Sequence, residues 1–149
     1  MNHSDVLRSL RYLLNVSDRK CVEIIGLAGL EVGLPELVSY LKREDEAGYR
    51  ECPDRVMAYF LNGLILYKRG KDESRPPPAV EVPVTNNVIL KKLRVAFELK
   101  DSDVIAAIEK AGPATVSKAE LSAFFRKPDH RNYRPVGDQF LRHVIKGMK

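Results

Sequence analysis

The chain repeats itself. Shifted by 83 positions, Val6–Asp18 (VLRSLRYLLNVSD) falls on Ile89–Asp101 (ILKKLRVAFELKD), so that Leu7 meets Leu90, Leu10 meets Leu93, Arg11 meets Arg94 and Asp18 meets Asp101. Past residue 30 the offset becomes 84. Val32, Glu36 and Leu37 then meet Val116, Glu120 and Leu121, and Asp45, Tyr49, Arg50, Asp54 and Gly63 meet Asp129, Tyr133, Arg134, Asp138 and Gly147. Self-similarity over one long period means that a single supersecondary unit is written twice. Whatever the first copy folds into, the second must fold into as well. The repeat also bears on the two cysteines: Cys21 falls on Val104 and Cys52 on Val136. Thiols that alternate with valine read as small buried apolar groups. Neither belongs to a CxxC pair, so no disulfide or metal framework is expected.

Between the copies lies RGKDESRPPPAVEVPVT, Arg69–Thr85, which contains four prolines and no helical spacing. The triple proline Pro76–Pro78 favours an extended polyproline conformation, so this stretch reads as a spacer. The division expected is a first repeat over 1–69, a linker over 70–85 and a second repeat over 86–149.

Each copy reads as four short helices, which makes the fold class all-α, two tandem four-helix repeats. In the first copy Val6, Leu7, Leu10, Leu13 and Leu14 recur at three- and four-residue spacing, one face of a helix. Ser17-Asp18 supplies an N-cap for a second helix, which places Val22, Ile25 and Ala28 on one side and ends at Gly29. A third helix carries Leu37, Tyr40 and Leu41. A fourth carries Val56, Phe60, Leu61, Leu64 and Ile65, with Asp54 near its start, where acids favour the helix dipole. In the second copy Asp101 is the expected cap of helix two, and Ala111-Gly112-Pro113 ends it. Ser117-Lys118-Ala119-Glu120 is a capping box. Helix three is expected to run to Pro128, burying Leu121, Phe124 and Phe125 and exposing Lys118, Ser122, Arg126 and Lys127. Gly137-Asp138 opens helix four, with Phe140, Leu141, Val144 and Ile145 inward. A core of about 65 residues is marginal alone, so packing of the copies against each other is expected.

The net charge of +5 is unevenly spread. Residues 2–69 hold ten basic and ten acidic side chains, 70–85 hold two and three, and 86–149 hold thirteen and seven. The excess therefore lies in the second copy, which suggests a polyanionic partner for that half; a solubilising surface would read the same way. No apolar run approaches the roughly 20 residues of a membrane helix. The start MNHSDVLRSLRYLL has polar and charged groups scattered through it, unlike a signal peptide, so a cytoplasmic protein is expected.

Helix, helix, break, helix, helix is also the order of small helix-turn-helix DNA-binding domains, whose third helix enters the major groove. Here the exposed residues of that helix and the loop after it would be Lys118, Ser122, Arg126, Lys127, His130, Arg131 and Asn132. Arg and Lys neutralise phosphates, Asn reads a base edge, and His or Tyr stacks. The break AGPATV is longer than the usual three- to four-residue turn. Tyr133 and Arg134 recur as Tyr49 and Arg50, which favours packing: a buried Tyr, and an Arg tied to a carboxylate or carbonyl. The acids Glu44 and Glu46 fall opposite Pro128 and His130 and would repel phosphate, so any DNA or RNA belongs to the second copy. The first copy is then left to pack, self-associate or meet a protein. A protein-interaction adaptor without nucleic acid is the alternative. His3, His130 and His143 are scattered, and no HExxH, GxSxG, P-loop or GxGxxG occurs; no enzyme, cofactor or metal is expected.

The phrases LRSLRYLLNVSD, ELVSYLKREDEAGY, NNVILKKLRVAFELKDSD and VSKAELSAFFRKPDHRNYRPVGDQFLR resemble those of the bacterial YehS-like family, small proteins built from a tandem pair of one domain of unknown function. The resemblance covers nearly the whole chain. It implies an intracellular bacterial protein and carries over no site residue.

Overall fold

The computed structural model describes residues 1–149 and contains eight α-helices and no strand. The chain divides into two compact units, Met1–Val84 and Thr85–Lys149. The first holds α1 (His3–Leu14), α2 (Asp18–Leu27), α3 (Leu34–Leu41) and α4 (Asp54–Arg69). The second holds α5 (Asn86–Ala96), α6 (Asp101–Ala111), α7 (Lys118–Phe124) and α8 (Asp138–Gly147). The fold is all-α and doubled.

In unit 1 the core is built from Val6, Leu7 and Leu10 of α1, Cys21, Ile24 and Ile25 of α2, Leu37 and Tyr40 of α3, and Met57, Phe60, Leu61 and Leu64 of α4, all buried. In unit 2 the equivalent positions bury Ile89, Leu90, Leu93, Val104, Ala107, Ile108, Leu121, Leu141, Val144 and Ile145. These are the faces that three- and four-residue spacing aligns along each helix.

The doubling extends to details that hydrophobic pattern alone does not specify. α1 ends at Asn15 with φ 54°, and α5 is followed by Glu98 with φ 53°, the matching position. Arg11 Nε lies 3.6 Å from Asp18 Oδ1, and Arg94 Nη2 lies 3.3 Å from Asp101 Oδ1. His3 Nε2 meets Asp54 Oδ1 at 2.8 Å, and at the same place Asn86 Nδ2 donates to Asp138 Oδ1 at 2.7 Å. The tightest helix contacts coincide as well. A Cβ added to Gly63 would stand 1.9 Å from the Ile24 carbonyl oxygen, and one added to Gly147 would stand 1.9 Å from that of Ala107. α2 against α4 and α6 against α8 thus meet backbone to backbone, which only a residue without Cβ permits.

The proline-rich stretch is tied to unit 1 in two places. Asn62 Nδ2 donates to the Pro78 carbonyl at 3.0 Å, and the Val84 N–H donates to Asp54 Oδ1 at 2.9 Å.

Several local expectations need correction. On α2 the buried residues are Cys21, Ile24 and Ile25, whereas Val22 is half-buried and Ala28 already stands at the C-cap. The buried face begins at Cys21, the small apolar group that its match to Val104 implies, one residue before the face expected from Val22. Leu13, Leu14 and Leu41 are half-buried at helix ends. Asp101 is not the cap of α6 but its first residue, engaged by Arg94. The residue matching Ser17 is Lys100, which has no acceptor; Asp103 instead accepts from the Lys100 N–H at 2.7 Å. α7 stops at Phe124, well before Pro128, so Arg126 and Lys127 lie beyond the helix. The carbonyls of its last turn turn outward for partners: Ala123 accepts from the Arg134 N–H, and Phe124 accepts from Asn87 Nδ2. Phe124, Phe125 and Phe140 are half-buried rather than buried.

Candidate nucleic-acid interface

After α7 the chain makes two consecutive β-turns that share His130. The His130 N–H donates to the Lys127 carbonyl at 2.9 Å, and the Tyr133 N–H donates to the His130 carbonyl at 2.9 Å. The same double turn follows α3: Glu46 N–H to Arg43 carbonyl at 3.0 Å, then Tyr49 N–H to Glu46 carbonyl at 3.2 Å. Each is returned to the preceding helix by one further bond, Arg50 N–H to Ser39 carbonyl and Arg134 N–H to Ala123 carbonyl. Arg50 and Arg134 therefore recur for their backbone. Their side chains are exposed, and Tyr133 is half-buried rather than buried.

One inward polar side chain anchors each turn from the first helix of its unit. In unit 2 this is Asn87, 9% exposed. Its Nδ2 donates to the Phe124 and Arg134 carbonyls at 2.9 and 2.8 Å, and its Oδ1 accepts from the Val136 N–H at 2.8 Å. In unit 1 the place belongs to Ser4, fully buried, whose hydroxyl accepts from the Cys52 N–H at 2.8 Å and donates to the Arg50 carbonyl at 3.5 Å. Sequence reasoning missed both. The available signal was a polar residue at the same inward helical position in both copies, one step before the aligned apolar run.

The two turns share a backbone and differ in what their side chains do. In unit 1 the side chains hold the turn itself. Lys42 Nζ donates to the Ala47 carbonyl at 2.8 Å, Glu46 Oε1 accepts from the Arg43 N–H at 3.0 Å, and Asn2 Nδ2 donates to Glu44 Oε1 and to the Tyr49 hydroxyl at 3.1 and 3.0 Å. In unit 2 Thr85 replaces Asn2 and is occupied in capping α5, accepting from the Val88 N–H. The only side chain spent within the turn is His130, whose Nδ1 accepts from the Asn132 N–H at 3.0 Å. Charge follows the same division. Residues 42–51 carry three cations and four carboxylates, net −1, whereas residues 126–135 carry four cations (Arg126, Lys127, Arg131, Arg134) and Asp129, net +3. All four of these cations and Lys118 are exposed, and none is in an ion pair.

Of the residues expected to act together, Arg126, Lys127, His130, Arg131 and Asn132 lie in or directly before one double turn. Lys118 and Ser122 lie apart from it on the exposed side of α7, a helix of seven residues. The α7 N-terminus is occupied by its own capping box: Ser117 Oγ accepts from the Glu120 N–H at 3.1 Å, and Glu120 Oε1 accepts from the Ser117 N–H at 3.2 Å. α6 and α7 are separated by residues 112–117, longer than a helix-turn-helix turn. α8 adds an outer polar stripe that sequence reasoning did not single out: Arg142 Nη1 donates to Gln139 Oε1 at 2.7 Å, and Gln139 Nε2 meets His143 Nε2 at 3.1 Å. Asp138 at its start stays ionised, because the Asn86 amide holds its carboxyl below the usual value.

Both cysteines are buried free thiols. Burial pushes Cys21 up to about 11 and Cys52 up to about 12, which keeps each protonated and inert at neutral pH.

A doubled all-α unit with this geometry falls within a recognised family. The family described as "Protein of unknown function (DUF1456)" matches the chain twice, over residues 3–70 and 86–149, and the chain belongs to it as a tandem pair. It is also similar to "Uncharacterized protein YehS" of Escherichia coli (strain K12), with 45% identity over 148 residues, 99% of this chain and 94% of that protein. No solved structure matches the chain. No helix is long and apolar enough to cross a membrane.

Proposed function

We propose that this is a non-enzymatic nucleic-acid-binding protein of the cytoplasm that uses the basic double turn of its second unit. The observation that carries the reading is a turn that keeps the three cations of its unit 1 counterpart, adds Arg131, and replaces three of the four carboxylates there by Pro128, His130 and Pro135, while its backbone is held by other means. The same turn in unit 1 spends its side chains on itself. A rigid platform with free guanidinium and ammonium groups suits phosphates, since little rotamer freedom is lost elsewhere when the contact forms.

The test is fluorescence anisotropy with labelled DNA and RNA over a series of salt concentrations. Binding weakens with a log–log slope of roughly 0.7–0.9 per phosphate neutralised. The variant with Arg126, Lys127, Arg131 and Lys118 changed to Glu is expected to lose binding while keeping its circular dichroism. A folded protein that binds no nucleic acid at low salt refutes the reading. The alternative would then take over, an adaptor that meets a protein partner or a second copy through the exposed acids Glu44, Asp45, Glu46 and Glu51 of unit 1.

A further inference from the structure

We infer that the nucleic acid taken by the basic turn is single-stranded, its phosphates held by the cations of residues 126–134 and a base stacked on Tyr133 or Phe125. This deepens the proposed function and rests on it. Two observations point away from a duplex. α7 is about 10 Å long at 1.5 Å per residue, and its exposed side offers Lys118, Ala119, Glu120 and Ser122, one cation beside one carboxylate. A helix that reads the major groove presents its N-terminal residues to base edges between two phosphate backbones; here that end is closed by the Glu120 carboxylate, which would be repelled by the phosphates.

Two further observations point towards a strand with unstacked bases. Tyr133 sits at the end of the double turn, half-exposed, and its hydroxyl has no partner, whereas the hydroxyl of the matching Tyr49 is tied to Asn2. Phe125, the residue after α7, is half-buried, with the Arg94 guanidinium carbon 4.5 Å from its ring centroid. Arg94 is fixed in turn by Asp101. The matching residue in unit 1 is Leu41. Aromatic rings interleaved with cations along a turn form the arrangement that binds single strands, since every base has a face to stack while the charges track the backbone. By contrast Phe124, paired with Phe140 at 4.9 Å between centroids, is spent on packing.

The experiment compares a labelled single-stranded RNA, a single-stranded DNA of the same sequence, and the DNA duplex, all at one salt concentration with the full chain. The expected result is at least tenfold tighter binding of one or both single strands than of the duplex. Tyr133→Leu and Phe125→Leu keep apolar bulk and remove the stacking face. At least one of the two is expected to weaken single-strand binding by about tenfold, the scale of one stacked base, and to leave the salt slope unchanged. The RNA and DNA arms show whether a ribose hydroxyl contributes. Duplex binding equal to or tighter than single-strand binding overturns the inference, as does single-strand binding that neither Leu variant alters. If the duplex is preferred and Arg142→Glu with Lys146→Glu abolishes it, nucleic-acid binding stands and the contact moves to α8. Loss of binding to all three probes refutes the parent reading instead.

Discussion

Replacing Gly63 by Ala separates two physical expectations of opposite sign. Gly63 lies in the interior of α4. By helix propensity alone, alanine there should stabilise the protein by about 1 kcal/mol. The packing says otherwise. The new Cβ would stand 1.9 Å from the Ile24 carbonyl oxygen, 2.7 Å from its carbonyl carbon and 3.3 Å from its Cγ2. The first two are backbone atoms inside α2, so no side chain can swing aside, and relief to an ordinary contact of about 3.5 Å requires α2 and α4 to part by more than an ångström. The buried residues of the two helices include Cys21, Ile24 and Ile25 of α2 and Phe60, Leu61 and Leu64 of α4. Six such side chains contribute roughly 9–18 kcal/mol of burial at 1.5–3 kcal/mol each. A radial gap of this size forfeits at least a quarter of the dispersion well, or roughly 2–4 kcal/mol. Subtracting the propensity gain leaves a net loss of about 1–3 kcal/mol. With a urea slope of about 1–3 kcal/mol per molar, the midpoint should fall by about 1 M. Equilibrium urea unfolding followed by circular dichroism measures it. A midpoint that is unchanged or raised would refute the backbone contact and, with it, the account of why glycine recurs at position 147.

Other expectations are simpler to state. Asn87→Ala leaves the Phe124 and Arg134 carbonyls and the buried Val136 N–H without their partner; with three orphaned groups at 1–3 kcal/mol each the loss should be at least about 3 kcal/mol, and hydrogen exchange at the Val136 amide should accelerate. Asn87→Ser, which installs the residue of unit 1, should recover part of it. For the cysteines the sign is fixed by burial: their folded values, about 11 and about 12, lie above the ordinary thiol value of 9.0. Their contribution is therefore intact below pH 9 and lost as pH rises through the folded values, because the unfolded chain releases its thiol protons first. At pH 10 the two together should cost about 3 kcal/mol, and the double variant Cys21→Val, Cys52→Val should lack that extra slope in denaturation curves between pH 8 and 10. Asp103→Ala removes the acceptor for the Lys100 N–H and should cost about 1 kcal/mol by thermal unfolding.

Most of the fold was legible because it rests on periodicity. Val56, Phe60, Leu61, Leu64 and Ile65 fall on one stripe, and all are buried. What escaped was set by single polar contacts. Spacing cannot show that α7 ends at Phe124, since the decision belongs to the Ala123 and Phe124 carbonyls, which find partners in Arg134 and Asn87. Nor does spacing separate Asp101 as first helical residue from Asp101 as cap; the Arg94 ion pair decides that. The site was half legible. Its basic residues were visible, but their placement on a turn rather than a helix was not, and Asn87 gave no signal except its match to Ser4.

That match makes the duplication informative about function. Two copies of one fold must keep whatever the backbone needs and are free elsewhere. The backbone needs include a glycine where helices touch, a polar anchor at Ser4 or Asn87, a partner for Asp54 or Asp138, and a residue able to take positive φ at Asn15 or Glu98. Each of these recurs, sometimes with different chemistry in the same role. Arg131 meets no such need, because unit 1 builds the same turn with Ala47 in its place and binds it together with Lys42 and Glu46, and unit 2 has Pro128, His130 and Pro135 where unit 1 has Glu44, Glu46 and Glu51. A structural role would keep the unit 2 side chains pointed at the turn. They are instead exposed and unpaired. The net charge of +3 on residues 126–135 is therefore a property added to the scaffold rather than required by it, and that difference favours a polyanionic ligand.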